Sequence, residues 1–321
     1  MRPQIESVSA AYNLLTPPDY TLRRVNTAQG RFYLADERMY ISVTSLIDMT
    51  TRQDEGLIRK MSDMGYDKWM TWLNERANYG TIMHILIAEF LEHGYIDFDL
   101  LGHRVVVLFE QYNIPKNKYF IFYEDLCQDL LAFCKFAAEY KVQPLAIELP
   151  LISKTHQFGG TLDLVCKMIV QEKGYFGEVY KSGERKGQPK ESTKDLEIYG
   201  IVDFKSGRNG FTDKHADQLM LCEMLLKENY DEFLNAKMPV RLFNWAPKAW
   251  RSEPSYTLKD QSMTTSLSVI FAKLTIAKDM VRNSIPTFLH PSGIVKLGDD
   301  PIDNFRFRKI FEKAENAGQD S

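Results

Sequence analysis

The chain has 321 residues, 44% of them apolar and 26% charged, with a formal net charge of −3. That much apolar material can build a sizeable core and excludes a chain disordered throughout. The near-neutral balance excludes a strongly basic nucleic-acid coat, although a local basic groove can coexist with an acidic remainder. No apolar stretch approaches the roughly 20 residues that span a bilayer. Residues 1–6 lack the basic-then-apolar layout of a signal peptide, so a cytoplasmic protein is expected. The four cysteines, Cys127, Cys134, Cys166 and Cys222, are scattered in apolar settings, which suits reduced thiols.

Residues 1–50 read as loops and short strands, broken by Pro17-Pro18 and by turn-formers at 26–30. Helical spacing covers 54–78, with Leu57, Met61, Met64, Trp69 and Trp72 as apolar markers. Gly80 punctuates that pattern, and 81–93 is apolar nearly all round, which predicts a buried helix. A second long helix is predicted over 119–140 and ends near Pro144. Residues 146–152 and 161–168 read as a strand pair. Residues 171–195, rich in Lys, Glu, Gly and Ser, read as an insertion that is either mobile or an extended hairpin. A strand over 197–205, an amphipathic helix over 213–229, a strand over 240–246 and a helix over 264–281 follow. Residues 304–314 read as a terminal helix. This order fits a mixed sheet sandwiched by helices. It divides the chain into an N-terminal portion of strands and helices (1–140), a core (141–285) with its insertion, and a C-terminal extension (286–321).

The most informative run is Ile201-Val202-Asp203-Phe204-Lys205-Ser206-Gly207. In a strand, residues two apart share a face, so Asp203 and Lys205 project together while Val202 and Phe204 face the other way. Charges in such an apolar setting are costly without partners. Upstream, Gly159-Gly160-Thr161-Leu162-Asp163-Leu164-Val165 offers a second carboxylate in a second apolar strand. Two carboxylates and a lysine on neighbouring strands suit a hard divalent cation and a phosphate, the equipment of a metal-dependent phosphodiesterase. Ser206 and Arg208 follow the strand, as phosphate contacts or as turn residues.

Asp163 followed by Asp203-Phe204-Lys205 resembles the bipartite motif of the PD-(D/E)XK nucleases. Four further segments resemble, in order, those of its RecB-like exonuclease branch, to which phage exonucleases and the mitochondrial genome maintenance exonuclease belong. They are Tyr40-Ile41-Ser42-Val43-Thr44-Ser45-Leu46, Gly80-Thr81-Ile82-Met83-His84, Ile147-Glu148-Leu149-Pro150, and the helix start at Gln218-Leu219-Met220-Leu221-Cys222. The set spans about residues 40–225.

The resemblance implies an α/β fold with a restriction-endonuclease-like PD-(D/E)XK core, a central mixed sheet flanked by helices, and a helical N-terminal portion. It implies a divalent-metal-dependent DNA exonuclease of bacterial or phage origin, acting in recombination, repair or replication with partner proteins of those processes. DNA with a free end or in single-stranded form is the expected substrate, and a 5′-phosphate the expected product. One or two Mg²⁺ or Mn²⁺ ions are expected around His84, Asp163 and Asp203, with the Phe204 carbonyl as a backbone ligand. Without the resemblance, a lone histidine on so apolar a helix reads as a core residue. Glu148 is either a ligand, a water-bridged outer acid or a surface residue. Lys205 either assists the attacking water or neutralises charge developing on the phosphate. Gln218 is expected to line the site and the DNA path, with Cys222 where the family has tyrosine. An iron–sulfur cluster is not expected, because no cysteine follows Cys222. Trp69, Trp72 and Arg76, with Arg59, Lys60 and Lys68, read either as a stacking wall for single-stranded DNA or as core packing. The alternatives are a structure-specific or nicking endonuclease, and a non-catalytic DNA-binding or assembly subunit that retains the fold.

Overall fold

The computed structural model describes residues 4–27, 30–36, 38–51, 55–207, 210–284, 294–297 and 300–306. Five N-terminal strands, β1 (Gln4–Val8), β2 (Tyr12–Asn13), β3 (Leu22–Thr27), β4 (Gly30–Ala35) and β5 (Arg38–Ser42), lead into α1 (Val43–Thr50). Four helices follow: α2 (Glu55–Met64), α3 (Tyr66–His93), α4 (Phe98–Gln111) and α5 (Tyr119–Glu139). The central strands β6 (Gln143–Ser153), β7 (Phe158–Gly174) and β8 (Ser192–Phe204) precede α6 (Asp213–Asn229) and the short α7 (Asp231–Leu234). Then come β9 (Val240–Pro247), β10 (Tyr256–Asp260), α8 (Leu267–Ser284) and a separate hairpin of β11 (Ile294–Leu297) and β12 (Asp300–Arg306). No described helix is long and apolar enough to cross a membrane.

Strands β1 to β10 form one mixed sheet, so the N-terminal strands and the central strands share a single layer. The long β7 organises it. β6 runs antiparallel along one edge of β7. On the other edge, β5 pairs in parallel at Phe158 and Gly159, and β8 pairs antiparallel from Leu164 onward. Residues 160–163 of β7 thus lie in a fork between β5 and β8. Past Val202, β8 leaves β7 but stays paired in parallel with β9 through Asp203↔Asn244 and Phe204↔Trp245.

Side chains alternate between two apolar layers, as the strand period demands. Val202, Phe204, Phe243 and Trp245 pack with Ile82, Leu86, Leu130 and Phe133 of α3 and α5. Ile201, Leu242 and Val165 pack with Leu46, Leu219, Leu225 and Ile270 of α1, α6 and α8. Val202 and Phe204 therefore face away from Asp203 and Lys205, as the alternation predicts.

The helical break lies at Gly65 (φ +76) rather than at Gly80, and α3 runs unbroken through Gly80. A glycine inside a helix costs about 1 kcal/mol relative to alanine. Here it makes room: a Cβ on Gly80 would sit 3.0 Å from the Ser206 hydroxyl, so α3 lies directly against the end of β8. Helix α4 has no counterpart in the sequence reading, although Asp97 caps it by accepting from the Asp99 and Leu100 amides. Residues 171–195 form an extended hairpin, with β7 and β8 paired as far as Gly174↔Ser192 and a further bridge at Val179↔Pro189. Residues 304–306, expected to begin a helix, belong to β12. The β-prone run at 294–297 supplies a pairing partner, and strand pairing wins over local helical spacing. Residues 307–314 of that expected helix lie outside the described residues.

Candidate active site

The fork in the sheet is where groups from opposite faces meet. Past the end of the β7–β8 ladder, the Phe204 amide has no strand partner on β7 and donates instead to Asp163 Oδ2 at 2.7 Å. Across β7, Glu148 interrupts the β6 ladder with φ +51, a left-handed conformation that costs a glutamate about 1–2 kcal/mol. The turn brings its carboxylate to His84 of α3: Glu148 Oε1 lies 3.2 Å from His84 Nδ1, and Asp163 Oδ1 lies 3.8 Å from the same nitrogen. His84, Glu148 and Asp163 each offer a ligand atom within 4.8 Å of the others.

The other ring nitrogen, His84 Nε2, lies 3.2 Å from the Phe204 carbonyl oxygen. That contact fixes the ring so that Nδ1 faces the carboxylates. The Phe204 carbonyl, expected as a backbone metal ligand, thus contacts the imidazole, and its second lone pair stays available. A metal-binding histidine typically donates its far N–H to such a carbonyl. One imidazole nitrogen and two carboxylates suit Mn²⁺ well and Mg²⁺ acceptably, so this donor set fits the cation that the motif implies.

Asp203 belongs to a second, adjoining network. Lys205 Nζ lies 2.8 Å from both of its oxygens. Gln218 Nε2 donates to Oδ1 at 2.7 Å, and Asn244 Nδ2 donates to Oδ2 at 2.7 Å. Lys205 also donates to Gln218 Oε1 at 3.0 Å. Asp203 is thus gripped by the lysine rather than by the three-residue cluster. Gln218 reaches it from α6, whose first turn is fixed by a capping box between Thr212 and His215.

The electrostatics follow from crowding. Burial raises Asp163 to about 7, with His84 opposing and Asp203 and Glu148 adding to the rise. Burial would lower His84, but the Asp163 charge and the Glu148 hydrogen bond outweigh it and hold the imidazole up at about 9. Lys205 is likewise disfavoured by burial, yet Asp203 and Asp163 raise it above the ordinary lysine value. His215, half-buried and near Lys205, is lowered to about 4, chiefly by partial desolvation. Two carboxylates this close to one imidazole favour its charged form.

These groups form the floor of a cleft of about 920 Å³. Arg76, Gly80 and Thr81 of α3 make one wall, while Arg24, Arg31, Tyr33 and the start of α1 at Ser42 to Thr44 make the other. Ser206 and Cys222 also line it, and Arg208 lies outside the described residues. The expected aromatic wall is elsewhere. Among the cleft-lining residues only Arg76 comes from that set, because Trp69 and Trp72 stand one to two helical turns beyond the mouth. Lys60 covers the Trp72 ring at 3.5 Å, and Tyr66 lies beside Trp69. Sequence reasoning missed Asn244, a buried amide in the apolar run Leu242-Phe243-Asn244-Trp245. A polar residue alone in such a strand was the signal. It also missed Arg24, Arg31 and Tyr33, which carry no local mark. Compared with known proteins, the chain matches no family model and no curated protein.

Proposed function

We propose that the chain is a divalent-metal-dependent deoxyribonuclease with a PD-(D/E)XK core, acting on DNA ends or single strands. The observation that carries the reading is the juxtaposition, at the sheet fork, of the His84–Glu148–Asp163 cluster with the Lys205–Asp203 pair. Two acids and an imidazole beside a lysine held cationic match what phosphodiester hydrolysis asks of a protein. A divalent cation in the cluster supplies Lewis-acid polarisation and a nucleophile at neutral pH. The chain's own groups do the rest. Asp163 and Glu148 provide negative charge for the cation, and the Phe204 carbonyl holds His84 in the ligating tautomer. Lys205, fixed by Asp203 and Gln218, offers its ammonium to charge developing on the phosphate. With its pKa raised, Lys205 suits that role better than proton abstraction. Arginines on both cleft walls suit a phosphate backbone, read without sequence preference.

The test is cleavage of end-labelled linear DNA and of covalently closed circles, single- and double-stranded, with Mg²⁺ or Mn²⁺ and with chelator. Shortening of linear DNA from an end, with circles surviving, is expected. Rapid cutting of closed circles would make the enzyme an endonuclease. Absence of any metal-dependent cleavage would leave a DNA-binding subunit.

A further inference from the structure

Asp203 has a back as well as a front. Its front meets Lys205 and Gln218. Its Oδ2 accepts at 2.7 Å from Asn244 Nδ2. Asn244 Oδ1 accepts at 2.9 Å from Gln261 Nε2, and Gln261 Oε1 accepts at 2.8 Å from the Thr264 hydroxyl. Asn244 and Gln261 are both fully buried, at 0% exposure. Thr264 stands at the surface just before α8. A polar chain therefore runs from the protein surface to the back of the reaction centre.

Two uncharged amides are costly to bury, and an apolar pair would fill the same space without that cost. The direction of the chain is what an apolar pair cannot supply. Each group donates inward: one N–H of each amide and the Thr264 O–H point along the chain toward Asp203. Neither amide can flip. A reversed Asn244 would set its oxygen 2.7 Å from a carboxylate oxygen and its NH₂ against the NH₂ of Gln261. The Gln261 backbone is itself pinned, its amide donating to the Leu242 carbonyl at 2.8 Å. The chain thus fixes both the position and the rotamer of Asp203, on which the aim of Lys205 depends.

We propose that Asn244 and Gln261 are positioning residues that aim Lys205 at the phosphate by holding Asp203 from behind. The proposal rests on the nuclease reading for its kinetic consequence but not for its structural one, and two measurements keep these apart. The first is the rate at which Lys205 is acetylated by a water-soluble N-hydroxysuccinimide ester, read by mass spectrometry on the folded full-length protein. The second is steady-state cleavage of linear DNA. The variants are Asn244→Leu, Gln261→Met, which keeps volume, and Gln261→Glu, which reverses the chain by turning an oxygen toward Asn244 Oδ1.

Faster labelling of Lys205 is expected in all three. For Asn244→Leu, kcat should fall about 100-fold with KM for DNA unchanged. Gln261→Glu should do more harm than Gln261→Met, although it is closer to glutamine in shape. A space-filling role predicts wild-type labelling of Lys205 in the folded fraction, and a kcat that falls only with the fraction folded. Either of those results overturns the proposal. If Asn244→Leu fails to fold, the two Gln261 variants decide alone. If the wild-type protein cleaves no DNA, the nuclease reading falls, and the labelling rates still report whether the chain holds Lys205.

Discussion

At Asp163 and His84, the fold holds protons more tightly than the unfolded chain does. Asp163 is raised to about 7, so the folded state keeps a proton that the unfolded chain releases. The stability this contributes is full below the ordinary carboxylate value and is lost as pH rises through about 7. His84, raised to about 9, contributes stability that is full below the ordinary imidazole value and is lost as pH rises through about 9. Metal-free protein should therefore lose melting temperature steadily across that span. Added Mn²⁺ should restore it increasingly as protons leave, because ligands must be deprotonated to bind. Scanning calorimetry with Mn²⁺ and with chelator checks this. A metal-induced shift that is constant with pH would remove these two groups from the ligand set.

The carboxylates separate by role. Asp163→Asn should abolish Mn²⁺ binding in calorimetry together with cleavage. Asp203→Asn should abolish cleavage while Mn²⁺ still binds, because Asp203 serves the lysine. Loss of Mn²⁺ binding in Asp203→Asn would return Asp203 to the cation. Glu148→Asn tests the left-handed turn, since asparagine tolerates φ > 0 far better than glutamate. It should match or exceed the wild-type melting temperature while weakening Mn²⁺ binding. A lower melting temperature would mean that the lost contact with His84 outweighs the relieved backbone strain. Lys205→Ala should keep DNA binding and lose turnover. If cleavage fell only in proportion to binding, Lys205 would be a positioning cation.

At the scale of elements, the fork depends on close packing across β7. A Cβ on Gly160 would meet Val43 Cγ2 at 2.9 Å and Leu225 Cδ1 at 3.1 Å. Val43 is β-branched and opens α1, so it has little room to turn aside. Gly160→Ala should cost about 1–3 kcal/mol of stability. Val43→Ala in the same protein should recover most of it. Denaturant melts of the four-member cycle measure the coupling, and strict additivity would show that the two residues do not meet.

The central strands, α5 and α6 were legible because each is an apolar run with a clear period. The alternation in β8 also assigned Asp203 and Lys205 to one face correctly. Other features could not be read along the chain. The N-terminal strands join β7 through Ile41↔Phe158, a pairing across more than a hundred positions that leaves no local mark. Ile147-Glu148-Leu149 reads as regular strand, and its left-handed residue shows only in three dimensions. Gly80 reads as a break because sequence reveals the cost of a glycine and not the Ser206 hydroxyl that requires it. Gln261 and Asn244 each look like a lone amide until the fold sets them together.

Across the whole molecule, modest net charge and a cleft with arginines on two walls predict a particular salt response. Single-stranded DNA held by Arg24, Arg31 and Arg76 should show a slope of log affinity against log salt no steeper than about −2. Fluorescence anisotropy with labelled oligonucleotides measures it. A much steeper slope would mean that DNA runs well beyond the cleft, over basic surface elsewhere.

The extended β7–β8 hairpin offers a handle for instrumentation. From Asp163 to Gly174 the strand climbs about 36 Å, at roughly 3.3 Å per residue. Its tip turns through Gly183 and Gly187, both with positive φ, amid exposed polar residues. A dye or surface tether grafted between Gly183 and Gly187 would sit a protein radius from the cleft. If the chain is the nuclease proposed, such a tether would let one immobilised molecule be watched as it shortens a DNA strand, with the cleft left free.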